Sequence, residues 1–210
     1  ILFCSNTGDI SIFPLQNSKL TFCFNFLNNN MFIKVENNNR LPPAPFNKQK
    51  MKKKFCLILD IDETISYSLK LKIGYYFLIR PGVLEFLQEI SRYFEIIFYT
   101  SSYKTYADFI LDKLDPKGNY ISHRLYRSHV IFENGKSVKK LSLIGRDLKK
   151  IIFVDNMKYN AKYNPKNLYL IPSWFGDIYD NEINKLKNKL LYLVNSGKYN
   201  DDITEGLLEK

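Results

Sequence analysis

Four short hydrophobic runs recur along the chain: FCLILD at 55–60, EIIFYT at 95–100, IIFVD at 151–155 and NLYLIP at 167–172. Each is continuous rather than alternating, the pattern of strands buried on both faces of a parallel sheet. Between the runs the apolar positions change to helical spacing. PGVLEFLQEISRYF carries Val83, Phe86, Leu87 and Ile90 on one stripe, with Pro81 at the expected first turn. YKTYADFILDKLD places Tyr106, Phe109, Ile110 and Leu114 on one face and stops at Pro116-Lys117-Gly118. NEINKLKNKLLYLV, residues 181–194, predicts a third helix after the last strand. Strands alternating with helices predict an α/β fold, a doubly wound and mainly parallel sheet flanked by helices. No run of about 18 apolar residues occurs, so no membrane span is expected.

The first fifty residues have another texture. They hold ten Asn, with the runs Asn28–Asn30 and Asn37–Asn39, and end in the Pro-rich stretch Leu41–Phe46. Short apolar pieces such as LTFCFNFL have no sustained period. Residues 1–50 are therefore expected to be a poorly ordered or loosely docked leader, and 51–210 a single domain. The lysine cluster KQKMKKK, Lys48 to Lys54, reads as a solvated charge run at the domain edge, with nuclear localisation as the other reading.

Composition narrows the partners. The 210 residues include 31 Lys+Arg and 21 Asp+Glu, a net charge of +10. Only six of the basic residues are Arg, the side chain suited to bidentate base and phosphate contacts, so direct nucleic-acid binding is not expected. Cys4, Cys23 and Cys56 form no C-x-x-C pair, which argues against a disulfide framework or structural zinc. An intracellular reducing compartment, nuclear or cytoplasmic, is the expected location. His123 and His129, the two histidines, have no partners at metal-ligand spacing.

The chemistry gathers at the strand ends. FCLILD runs into Asp60-Ile61-Asp62-Glu63-Thr64, EIIFYT ends in Thr100 before Ser101 and Ser102, and IIFVD ends in Asp155-Asn156. Alternation places Asp60 and Asp62 on one side, where mutual repulsion would raise the pKa of one of them. Ligands of doubly wound sheets bind at the carboxyl ends of strands, so carboxylates, an amide and hydroxyls should converge from three distant segments. Carboxylate and amide oxygens suit a hard cation such as Mg²⁺, often completed by substrate phosphate. Thr100 could offer a hydroxyl and Lys139, in KSVKKLS, a cation to phosphoryl oxygens.

D-x-D-x-T after an apolar strand resembles the signature of the haloacid-dehalogenase superfamily of aspartate-nucleophile phosphatases. From Phe55 to Ile203 the chain is similar to its small RNA polymerase II C-terminal-domain phosphatases, the NLI-interacting-factor-like or FCP/SCP-type group. The matching pieces are LDIDET, RPGVLEFL, FYTSSYKTYAD, RLYR, VKKLSLIGRDL, FVDN, SWFGD and the late DDI, all in the family's order. The resemblance implies a three-layer α/β core and a Mg²⁺-dependent phosphoserine/phosphothreonine protein phosphatase. Asp60 would be the nucleophile that forms an aspartyl-phosphate, and Asp62 the acid and then the base. The metal would be held by the Asp60 carboxylate, the Asp62 backbone carbonyl and Asn156, with Asp155 orienting ligands around it. Thr100 and Lys139 would hold phosphate oxygens. Thr64 would brace the loop, while Arg127, Tyr103 and Tyr106 would line the phosphopeptide groove. The implied partner is a phosphorylated protein or peptide, met by a monomer.

Two departures from the resemblance bear on selectivity. Only the 15 residues ISYSLKLKIGYYFLI separate Thr64 from Arg80, room for a short β-hairpin with its turn near Lys72–Gly74 rather than for the family's insert. Residues 136–150 carry six Lys+Arg and one Asp, favouring acidic partners. Two rival readings remain open. The chain could be a catalytically silent binding module, like the mitochondrial translocase subunit of this family, which lacks the acidic signature, or a phosphatase of small phosphate esters.

Overall fold

The structure, a computed structural model, describes residues 21–24, 53–71 and 74–207. The leader expected at 1–50 therefore lies outside the described residues, except for one strand, β1 (Thr21–Phe24). β2 (Phe55–Leu59) opens the domain, followed by β3 (Ser66–Leu71) and β4 (Gly74–Ile79). Then come α1 (Val83–Ile90), β5 (Phe94–Tyr99), α2 (Lys104–Leu114) and β6 (Ile121–Leu125). β7 (Ile131–Glu133), β8 (Lys136–Val138), β9 (Ile151–Asp155), β10 (Leu168–Leu170) and α3 (Glu182–Asn195) complete the order.

Five strands form a parallel sheet in the order β10-β9-β2-β5-β6. The four hydrophobic runs supply β2, β5, β9 and β10. The edge strand β6, ISHRL, escaped the periodicity argument because only its last residue is fully buried. Chain order moves from β2 to β5 and β6 on one side, then crosses to β9 and β10 on the other. The switch point lies between β2 and β9, where parallel sheets open a crevice at their carboxyl edge.

Side-chain parity builds the two faces. Leu57, Leu59, Ile96, Phe98, Ile152 and Val154 join Phe86, Leu87, Ala107, Leu111, Leu186 and Leu190 of the three helices in one core. Cys56, Ile58, Ile97, Tyr99, Ile151 and Phe153 face the other way, against Leu125, Val130, Leu141, Ile144 and Ala161. Among the described residues that second face is covered by the β7–β8 hairpin and single-turn 3₁₀ segments rather than by α-helices. The fold is thus three-layered as expected, with α1, α2 and α3 on one side. On α2 the innermost residues are Ala107, Ile110, Leu111 and Leu114. Tyr106 and Phe109 lie half-buried beside them, turned toward Phe77 of β4.

The short insert forms the expected hairpin, β3 against β4, with residues 72 and 73 outside the described set. β1 adds a third strand on the other edge of β4, with Phe22 opposite Phe77 in the register. Gly82 precedes α1 at φ 83°, a left-handed conformation that glycine adopts without strain. Among the described residues no helix is long and apolar enough to cross a membrane.

Candidate active site

β2 ends at Leu59, and the next residues turn sharply. Asp60 donates its backbone N–H to the Val154 carbonyl at 3.0 Å, so the strand's last tie is to β9. Ile61 then closes the loop by accepting from the N–H groups of Thr64, Ile65 and Ser66. Glu63 sits at φ 57°, a left-handed conformation unusual for a residue other than glycine. It is pinned on both sides, donating N–H to the Ser66 carbonyl at 2.7 Å and accepting from Trp174 N–H at 2.8 Å.

The turn after Leu59 then separates the two acids that alternation had placed together. Asp60 keeps to the side covered by β8, where Lys139 Nζ contacts its Oδ1 at 2.5 Å. The same ammonium donates to Asp155 Oδ2 at 2.7 Å, so it bridges the ends of β2 and β9 across the switch point. Asp62 lies past the strand end, where alternation no longer applies, and meets partners on the α2 side. Tyr106 donates to its Oδ1 at 2.5 Å, and Ser102 and Thr100 to its Oδ2 at 2.7 and 3.2 Å. Thr64 Oγ1 donates to Asp60 Oδ2 at 3.2 Å.

The pKa of Asp60 is raised. Burial pushes its carboxyl up to about 7 against the pull of Lys139, and the charges of Asp155 and Asp62 add to the rise. Repulsion between Asp60 and Asp62, the cause expected from sequence, is therefore secondary to desolvation. For Lys139, burial favours the neutral amine, yet Asp60 and Asp155 more than offset it and hold the ammonium above the ordinary lysine range. Asp155 is further tied by Met157 N–H at 2.7 Å and by the Asn160 amide at 2.9 Å to each oxygen.

The donor set fits a divalent cation of the Mg²⁺ class. A single buried ammonium faces two buried carboxylates, with Asp62 close by, which leaves surplus negative charge at the mouth. Asn156 donates Nδ2 to Glu63 Oε2 at 3.1 Å and to Ser173 Oγ at 2.8 Å. These two bonds occupy the amide's Nδ2 and turn its Oδ1 the other way. Among the described residues no cluster of three or more His, Cys, Asp or Glu forms a ready cage. A cation here would rest on mixed oxygens from Asp60, the Asp62 carbonyl and Asn156, the partial protein shell usual for Mg²⁺.

Arg127 and Tyr103 stand at the rim. The guanidinium lies 5.4 Å from the Tyr103 ring centroid and 4.4 Å from that of Phe132, and donates to the Ser101 carbonyl at 3.3 Å. Phe132 was not singled out from sequence, because nothing local marks an exposed aromatic on β7 as the far wall of an arginine sandwich. Arg80 was missed for a similar reason. It is buried, pairs bidentately with Asp180 at 2.7 and 2.8 Å, and donates to the Thr64 carbonyl at 3.0 Å. It thereby fastens the acidic loop to the segment before α3. Asn160 too is brought to the site only by the structure, whereas Ser102 and Glu63 lie at strand ends that the sequence marks. His123 and His129 stay outside it: His123 faces Glu95 at 3.4 Å, and His129 Nδ1 accepts the Tyr126 N–H.

The acids, the amide and the ammonium thus gather at the carboxyl edge of the parallel sheet, where β2 and β9 end. The chain belongs to the NLI interacting factor-like phosphatase family, which residues 55–203 match. It is 38% identical over 162 residues to Phosphatase PSR1 of Saccharomyces cerevisiae, covering 70% of this chain and 37% of the yeast protein. It is 33% identical over 175 residues to the human carboxy-terminal domain RNA polymerase II polypeptide A small phosphatase 1, covering 72% and 67%. Mitochondrial import inner membrane translocase subunit TIM50-B of Drosophila melanogaster is 33% identical over 177 residues, covering 84% and 42%. The matched region thus spans from about a third to two thirds of these relatives' own lengths.

Proposed function

We propose that the protein is a Mg²⁺-dependent phosphatase of phosphoserine and phosphothreonine in proteins, working through an aspartyl-phosphate on Asp60. The observation that carries this reading is the Lys139 ammonium bridging Asp60 and Asp155 at the switch point, with Asp62 one short turn away. An Asp60 oxygen attacks phosphorus as the bond to the seryl oxygen breaks, and Asp62 gives that oxygen its proton. Water then attacks the aspartyl-phosphate, Asp62 takes the water's proton, and Asp60 is released. Lys139 has three N–H groups and spends two on carboxylates, which leaves one for a phosphoryl oxygen. Bound Mg²⁺ would supply charge neutralisation between the phosphoryl group and the acids. Thr100 Oγ1 is engaged, donating to Asp62 and accepting from Ser102 N–H, so the Thr100 hydroxyl must turn to meet phosphate.

Hydrolysis of a phosphopeptide panel beside small phosphate esters, with and without Mg²⁺, tests the reading. Phosphopeptide hydrolysis that requires Mg²⁺ is expected. Small esters cleaved in strong preference would favour the metabolite-phosphatase alternative. Failure to cleave either class would favour a binding module, a role that the likeness to a translocase subunit keeps in view. The short β3–β4 hairpin grips less peptide, so kcat/KM should differ little between proline-flanked and proline-free phosphoserine peptides and should fall with salt for acidic ones. A strong proline preference that salt does not move would contradict this.

Asn156→Ala removes one proposed metal oxygen, so half-maximal activity should need at least about tenfold more Mg²⁺. An unchanged metal titration would take Asn156 out of the ligand set.

A further inference from the structure

Asp62 is held on both oxygens, and its three side-chain partners among the described residues are hydroxyls: Tyr106 on Oδ1, Ser102 and Thr100 on Oδ2. A carboxyl tied at one oxygen still turns about its terminal bond, whereas ties on both oxygens fix its plane. The chemistry of the partners matters as well. An ammonium or a backbone amide can only donate, and would suit the carboxylate alone. A hydroxyl donates to a carboxylate and, by rotating its O–H, accepts from a carboxylic acid. A group that must give a proton and later take one keeps its orientation in both states only among such reversible partners.

The two strongest ties are themselves immobilised. The Tyr106 ring packs on Phe77 of β4, centroids 5.4 Å apart, and Phe77 is buried and also packs on Phe109 at 5.1 Å. Ser102 donates its N–H to Thr100 Oγ1 at 3.0 Å, and its carbonyl accepts the Arg127 N–H at 2.9 Å. Tyr106 therefore does more than line a groove.

We infer that Tyr106 and Ser102 are positioning residues that hold the Asp62 carboxyl in the plane from which it protonates the leaving oxygen. The inference rests on the phosphatase reading above. In the step concerned, the Asp60–phosphorus bond forms, the bond to the leaving oxygen breaks, and the Asp62 proton moves to that oxygen. A poorly acidic leaving group needs that proton more than a strongly acidic one, so misplacing Asp62 penalises the two unequally.

The experiment compares kcat/KM for phenyl phosphate and p-nitrophenyl phosphate, esters of similar size whose leaving groups differ in acidity, with Mg²⁺ present. Tyr106→Phe keeps the ring packing and should lose at least about five times more activity on phenyl phosphate than on p-nitrophenyl phosphate. Ser102→Ala should shift the ratio the same way, and Ser102→Thr should restore it. A residue that merely lines a groove or supports the fold would lower both esters in parallel. Parallel losses in both variants, with an active wild type, would overturn the inference and leave the phosphatase reading standing. A wild type inert on both esters and on phosphopeptides would overturn the two together.

Discussion

Asp60→Asn should abolish turnover, by at least about a thousandfold, while the protein keeps its fold. The amide retains the shape but loses the charge that attacks phosphorus. Its oxygen can still accept from Lys139, and its NH₂ can donate to Thr64 Oγ1, reversing a bond already present. Lys139 keeps Asp155 as its counter-ion at 2.7 Å, so a balanced pair remains buried. The measurement is phosphopeptide hydrolysis beside a thermal melt. Several per cent of wild-type activity surviving in a clean preparation would remove Asp60 from the nucleophile's role.

Lys139→Met should have the opposite balance, with stability failing along with activity. Lys139 is fully buried between two carboxylates, and methionine fills its volume without its charge. Removing one member of a buried ionic group costs about 3–5 kcal/mol, since the charges left behind have no solvent to relax into. At about 2–4 °C per kcal/mol for a chain of this size, melting should fall by roughly 10 °C. Adding Asp60→Asn to Lys139→Met removes one orphaned charge and should recover part of the loss, a coupling that distant sites would not show. A melting temperature unaltered by Lys139→Met would mean that the bridge does not hold the sheet's carboxyl edge together.

These two outcomes differ because of where the residues lie, and only part of that was legible beforehand. Continuous apolar runs identify β2, β5, β9 and β10, because a strand buried on both faces has no polar position to spare. β6 carries His123 and Arg124 within five residues, and at a sheet edge the same backbone geometry leaves no such trace. The hairpin at 66–79 follows from its length. Its third strand, supplied by Thr21–Phe24 from an Asn-rich segment without sustained period, does not.

For the site, motif spacing by itself determined that Asp60, Thr100 and Asp155 end parallel strands and so share one edge. A strand's direction and end are local properties, set by hydrophobic period and by the residues that stop it. The sequence also determined the family, since all the matching motifs occur in order within 55–203. Tertiary structure decided which side each acid faces. Asp60 and Asp62 are two residues apart, yet they divide between Lys139 and Tyr106 because β2 stops at Leu59 and the chain turns. The partners arrive from far away, Lys139 from 79 positions along the chain and Tyr106 from 44. Arg80 and Asp180, 100 residues apart, tie down the Thr64 carbonyl in the same manner. Local pattern records whether a position is buried, because burial acts on one side chain at a time. Which charge meets which depends on how whole layers stack, and that is fixed only when the core closes.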